Sequence, residues 1–175
     1  MPINHEYKFL YIHIPRTAGH SINYAFYNAG LELEGFGNKH ILPSALKPKI
    51  PEWDKYWKFA FVRNPFDRLV SRYHHRIQNM GSKAFAKYGS FTKWFNKNHE
   101  KLKPLKAEME EMDFIGKYEN LYEDFSKVCK HLKIKNCMSK DKANSSKHVN
   151  YKEYYNEEMI EIMNKIYQGE FGYEY

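Results

Sequence analysis

Two stretches of this chain place cations where an apolar, strand-like run turns into a helical pattern. The first is Phe9-Leu-Tyr-Ile-His-Ile-Pro-Arg-Thr-Ala-Gly-His-Ser21, and the second is Phe59-Ala-Phe-Val-Arg-Asn-Pro-Phe-Asp-Arg-Leu-Val-Ser-Arg-Tyr73. A helix start presents backbone N–H groups that no earlier turn accepts, together with a partial positive charge, so it suits an anion. Arg16, Thr17 and Ser21 add a guanidinium and two hydroxyls to the first junction. At the second, Arg63 follows the strand directly and Ser71 lies about two helical turns on. Arginine offers a planar fork matched to phosphate oxygens, and serine donates one more hydrogen bond. Two anion sites in one small chain point to a ligand with two separate anionic groups, a phosphorylated nucleotide donor rather than a simple metabolite. The plainer reading of the first junction is a capped helix after a strand. Arg68 and Arg72 read more simply as surface residues or partners of Asp67.

The elements that must hold these residues follow from periodicity and punctuation. Lys8 to Ile14 is rich in aromatic and β-branched residues and reads as a buried strand ended by Pro15. Ile22, Ala25 and Phe26 fall at helical spacing within Ala18 to Ala29, and Gly30 supplies the stop. Leu31 to Pro51 is irregular and includes His40-Ile-Leu-Pro-Ser-Ala-Leu46. Lys58 to Val62 is a second strand, and a helix runs from Pro65 to about Asn79, with proline favourable in its first turn. The basic stretch from Met80 to Met112 holds a helix around Phe91 to Asn98. Phe114 to Tyr118 is a third strand, and Leu121 to Leu132 a helix with Phe125, Val128, Cys129 and Leu132 on one face. A lysine-rich loop, 133–147, precedes a last helix near Asn156 to Tyr167, with Asn156 as cap and Met159, Ile160, Met163 and Ile166 as its buried stripe. No internal repeat is visible. Strands alternating with helices imply an α/β layer with a mostly parallel sheet.

Composition narrows the classes. A chain of 175 residues is expected to form a single domain, 1–175, with one core. Its 42% hydrophobic and 17% aromatic content argues against general disorder. The net charge of +7 predicts attraction to anionic partners, among them nucleic acid, nucleotides and acidic polysaccharides. Much of that charge is lysine scattered along the chain, which reads equally well as a solvated surface. Cys129 and Cys137 have no second ligand pair nearby and read as free thiols rather than a zinc site. The N-terminus lacks a basic segment followed by a long apolar one, and no window reaches the length of a membrane span, so a cytoplasmic protein is expected.

Taken together, the two junctions resemble the donor-binding motifs of sulfotransferases that use 3′-phosphoadenosine 5′-phosphosulfate (PAPS). More narrowly, the chain is similar to the bacterial and Golgi carbohydrate-sulfotransferase branch. The likeness extends over Phe9 to Ser21, the His40 segment, Tyr56 to His75, Phe114 to Phe125, Asn144 to Tyr155 and Phe171 to Tyr173. It implies a three-layer α/β fold of the P-loop-hydrolase-like sulfotransferase type, with a mostly parallel sheet flanked by helices. By the same resemblance Arg16, Thr17, Ala18, Gly19, His20 and Ser21 wrap the 5′-phosphosulfate, while Arg63 and Ser71 hold the 3′-phosphate. Ser146 and Lys147, in Asn144-Ser-Ser-Lys-His148, match a late loop that folds over the nucleotide. Most relatives carry lysine where this chain has Arg16. Arginine keeps the charge but does not readily give up a proton, so its expected role is electrostatic stabilisation of the leaving phosphate.

Sulfuryl transfer to a hydroxyl also needs a base, a task for an imidazole near neutral pH. The resemblance selects His40 among nine histidines, because related carbohydrate sulfotransferases carry a histidine there in the acceptor cleft. His13 and His20 lie nearer the donor and read as structural. Of His74 and His75, one is expected buried and the other exposed. Glu119 reads as an acid tying strand to helix. Tyr88, Phe91, Trp94 and Phe95 either belong to the core or stack on an acceptor sugar. The implied co-substrate is PAPS, released as adenosine 3′,5′-bisphosphate, with no metal. The implied partner is a hydroxyl-bearing acceptor, a carbohydrate by family expectation, and neither nucleic acid nor a membrane span is expected. Two other classes stay open. A kinase-like phosphate-loop enzyme is disfavoured by the missing Gly-Lys-Ser/Thr ending and the missing magnesium-binding aspartate. A non-catalytic module for nucleic acid or anionic glycans would show steep salt dependence.

Overall fold

Strand-forming runs at Phe9–Ile12, Trp57–Val62 and Phe114–Lys117 assemble side by side, as their apolar composition requires of strands buried on both faces. The computed structural model describes residues 2–35, 40–140 and 150–173, with no side chains for 80–88. In chain order the strands are β1 (Pro2–Asn4), β2 (Phe9–Ile12), β3 (Glu34–Gly35), β4 (Trp57–Val62) and β5 (Phe114–Lys117). The helices are α1 (Gly19–Asn28), α2 (Pro43–Leu46), α3 (Pro65–Tyr88), α4 (Phe91–Asn96), α5 (Leu121–Leu132) and α6 (Glu157–Tyr167). They distribute into two compact units, each built from two stretches of chain.

The first unit, Met1–Arg63 with Ala107–Ser145, contains a five-stranded sheet of order β3-β1-β2-β4-β5. β2, β4 and β5 run parallel, with Ile12 opposite Ala60 and Val62 opposite Lys117. β1 pairs antiparallel with both β2 and β3, so the sheet is mixed rather than mostly parallel. The expectation fell short because β1 and β3 span three and two residues, too few to show a strand period. On one face Phe9, Tyr11, Phe59 and Phe61 pack against Ile22, Ala25 and Phe26 of α1 and Phe125, Val128, Cys129 and Leu132 of α5. Gly116 is required there, since a Cβ would stand 2.5 Å from the Phe61 ring.

The second unit, Asn64–Lys106 with Ser146–Tyr175, is helical. Asn64 caps α3, its Oδ1 accepting from the backbone N–H of Phe66 at 2.9 Å, and Pro65 opens the first turn. The helix passes through Gly81-Ser82 and continues to Tyr88, well beyond the expected end near Asn79. An isolated glycine costs a helix only about 1 kcal/mol, less than a break. Phe91, Trp94 and Phe95 are buried with Phe66, Val70, Tyr155, Met159 and Met163, which settles them as core residues rather than a sugar-stacking platform. Asn156 caps α6 as expected, accepting from Met159 N at 2.9 Å. No helix among the described residues is long and apolar enough to cross a membrane.

Two helix ends in the first unit use the same device with different residues. After α1, Gly30 is left-handed, with Leu31 N donating to Phe26 O at 3.0 Å. After α5, Lys133 is left-handed, with Ile134 N donating to Cys129 O at 3.0 Å. A side chain is strained in that conformation and glycine is not. Lys133→Gly is therefore expected to raise stability by about 1 kcal/mol, and Gly30→Ala to lower it by about 1 kcal/mol, in urea melts. Burial also pushes the Cys129 thiol up to about 11, while Cys137 is partly exposed. Iodoacetamide at pH 8 should modify Cys137 and spare Cys129 until the chain unfolds; equal labelling of the native protein would contradict this placement.

Candidate functional site

The turn between β2 and α1 is built from two left-handed residues, Arg16 and Ala18, at φ 71° and 64°. Pro15 precedes them and Thr17 lies between, buried, with its hydroxyl donating to Ile14 O at 2.8 Å. This hydrogen bond ties the loop down and commits the Thr17 proton inward. The expectation of two hydroxyl donors at this loop is thereby reduced to Ser21. Ala18 takes the cap position of α1 without any side-chain cap, so the first turn depends on an external acceptor for its N–H groups. Gly19 starts the helix because nothing larger fits: a Cβ there would stand 1.7 Å from His13 Nε2.

Arg63, at the carboxyl end of β4, reaches the same loop. Its Nη1 donates to Arg16 O at 3.3 Å, and its guanidinium lies 4.1 Å over the Tyr118 ring. A small cleft is lined by His13, Arg16, Gly19, Ser21, Arg63 and Tyr118, with Ala18 and the exposed His20 at its margin. The Arg16 guanidinium is less basic than usual, first because it is half-buried and second because Arg63 faces it with like charge. Holding two guanidiniums together costs free energy that an anion between them would return. A larger cleft of about 260 Å³ opens from the same residues, Ala18, Ser21 and Tyr118, toward Leu121, Tyr122, Met138 and Lys140. Lys140 lies 5.1 Å over the Tyr122 ring.

His40 docks on the end of β2. Its Nδ1 donates to His13 O at 3.0 Å, and its ring meets the His13 ring edge-on at 4.6 Å. The His13 ring is itself stacked on Tyr11 at 5.7 Å. Arg16, Thr17, Ala18, Gly19, His20, Ser21, Arg63 and His40 all belong to the first unit. Ser71 is fully buried in α3, in the second unit. Ser146 and Lys147 lie outside the described residues.

Sequence reasoning missed two residues. Tyr118 borders both clefts and carries the Arg63 guanidinium; an aromatic directly after a strand was its only signal. Asp124 makes the strand-to-helix tie expected of Glu119, which is exposed. Its carboxylate accepts from Lys117 N at 2.8 Å and from Lys127 Nζ at 2.7 Å. Of the paired histidines, His74 is half-buried against the Tyr154 hydroxyl at 2.7 Å and His75 is exposed.

A family model described as "Sulfotransferase family" matches residues 1–173. An uncharacterized protein of Archaeoglobus fulgidus is 36% identical over 85 residues, covering 46% of this chain and 70% of that protein. No solved structure matches the chain.

The contact between His13 and Gly19 makes a measurable prediction. Gly19→Ala should destabilise the fold by about 1–3 kcal/mol through overpacking. In a His13→Ala background the same change should cost less than about 0.5 kcal/mol, giving a strong coupling in a double-mutant cycle. Additive effects would mean that the two residues do not touch.

Proposed function

The chain belongs to the sulfotransferase family, and from that premise we propose that it moves a sulfuryl group from PAPS to a hydroxyl of an acceptor, a carbohydrate by family expectation. The observation that carries this reading is the cleft in which Arg16 and Arg63 face each other beside the uncapped start of α1. Such a set fits a ligand with more than one anionic group, as PAPS has in its 3′-phosphate and 5′-phosphosulfate. The N–H groups opening α1, with Arg16 and Ser21, take the 5′ end, and Arg63 takes the 3′-phosphate. The tyrosine and methionine walls of the larger cleft suit the flat, partly apolar nucleoside.

During transfer, negative charge builds on the bridging oxygen as its bond to sulfur breaks. Arg16 stabilises that charge without exchanging a proton. His40 takes the proton of the attacking hydroxyl, so the O–H bond breaks as the new O–S bond forms. The departing product is adenosine 3′,5′-bisphosphate.

Calorimetric titration tests this reading. Adenosine 3′,5′-bisphosphate should bind at least about tenfold more tightly than ATP or a short oligonucleotide, which corresponds to one charged hydrogen bond. Arg63→Ala should weaken bisphosphate binding by about tenfold or more, whereas His40→Ala should bind normally and lose turnover. Equal affinity for ATP would favour a kinase-like enzyme. Oligonucleotide binding that alone persists, with steep salt dependence, would favour a polyanion-binding module.

A further inference from the structure

We infer that His13 is a positioning residue for His40, holding its imidazole with the proton on Nδ1 so that Nε2 receives the acceptor proton. This rests on the reading of His40 as the base. The first step is chemical. A backbone carbonyl oxygen only accepts hydrogen bonds, so the 3.0 Å contact from His40 Nδ1 to His13 O requires the proton on Nδ1. A neutral imidazole carries one N–H, so its lone pair is then on Nε2. That tautomer is the one an isolated imidazole in water disfavours, so the protein must impose it.

The second step is steric. The His13 ring forms the wall on which His40 rests, edge-on at 4.6 Å. That wall is clamped on two further sides. Tyr11 stacks on it at 5.7 Å, and the space a Cβ at Gly19 would need is occupied by His13 Nε2. His13 is only 7% exposed, so it has little room to turn. The carbonyl selects the tautomer, and the ring keeps His40 on that carbonyl. The absence of a side chain at Gly19 thus serves the base as well as the anion loop. In the transfer itself the acceptor O–H bond breaks and its proton passes to Nε2. The acceptor oxygen bonds sulfur, and the electron pair of the broken S–O bond leaves on the 5′-phosphate of the donor.

The test uses the full chain labelled with 15N-histidine and long-range 1H–15N correlation spectra. In the wild type His40 should appear as a single Nδ1–H tautomer. His13→Ala should shift it to a mixture, and His13→Phe, which keeps the ring wall and the carbonyl, should restore the wild-type pattern. Both variants should bind adenosine 3′,5′-bisphosphate within about threefold of wild type, since general-base orientation is separate from donor affinity. With PAPS and a panel of carbohydrate acceptors, His13→Ala should lower kcat by about tenfold, with donor KM within about twofold, and His13→Phe should recover it. An Nε2–H tautomer for His40 in the wild type overturns the inference even if both variants fail to fold. An unchanged tautomer in His13→Ala, or a His13→Phe spectrum like that of His13→Ala, overturns it as well. Normal turnover in His40→Ala overturns the base assignment itself, a failure the tautomer spectra keep separate.

Discussion

The parallel register of β2 against β4, with Ile12 opposite Ala60, is the constraint on which the rest of the first unit depends. It brings the carboxyl ends of two strands level, so the turn after one and the arginine after the other meet at one sheet edge. Open α/β sheets bind ligands at that edge because the strands end there and the helices begin. The cores of β2 and β4 are aromatic. Phe9, Tyr11, Phe59 and Phe61 interlock with α1 and α5, and a slip of one residue would turn those rings to the opposite face. Packing of the core and placement of the cations are therefore set by the same register.

What that register creates is an electrostatic debt. Arg16 and Arg63 share a cleft, Arg16 is half-buried, and the start of α1 adds its own positive end. The protein offsets part of this locally, through the Tyr118 face beneath Arg63 and the Arg16 carbonyl that accepts from it. Left-handed backbone at Arg16 and Ala18 adds strain to the same short turn. Strain and like charge concentrated at a strand-to-helix turn are what an anion site costs before its ligand arrives.

Much of this was legible in the residues. The helix starts at Asn64-Pro65 and Asn156, the stop at Gly30, and the apolar stripe of α5 all lie within a few residues of the positions that encode them. Other features left no such mark. β1 and β3 exist because the edge of β2 takes partners, and their own sequences are too short to announce a strand. The left-handed Lys133 carries a glycine's task without a glycine, so the end of α5 shows only in its hydrogen bonds. Thr17 could be read as a ligand hydroxyl until its proton was seen committed to Ile14.

By itself the sequence determined the two strand-to-helix junctions, their cations and the likeness to a family, because periodicity, caps and charge are local properties. Only the tertiary structure decided that Arg63 meets the loop of Arg16 from 47 residues away, and that His40 rests on His13 from 27 residues away. Those meetings are set by strand register and by the missing side chain at Gly19, and neither can be read from spacing along the chain.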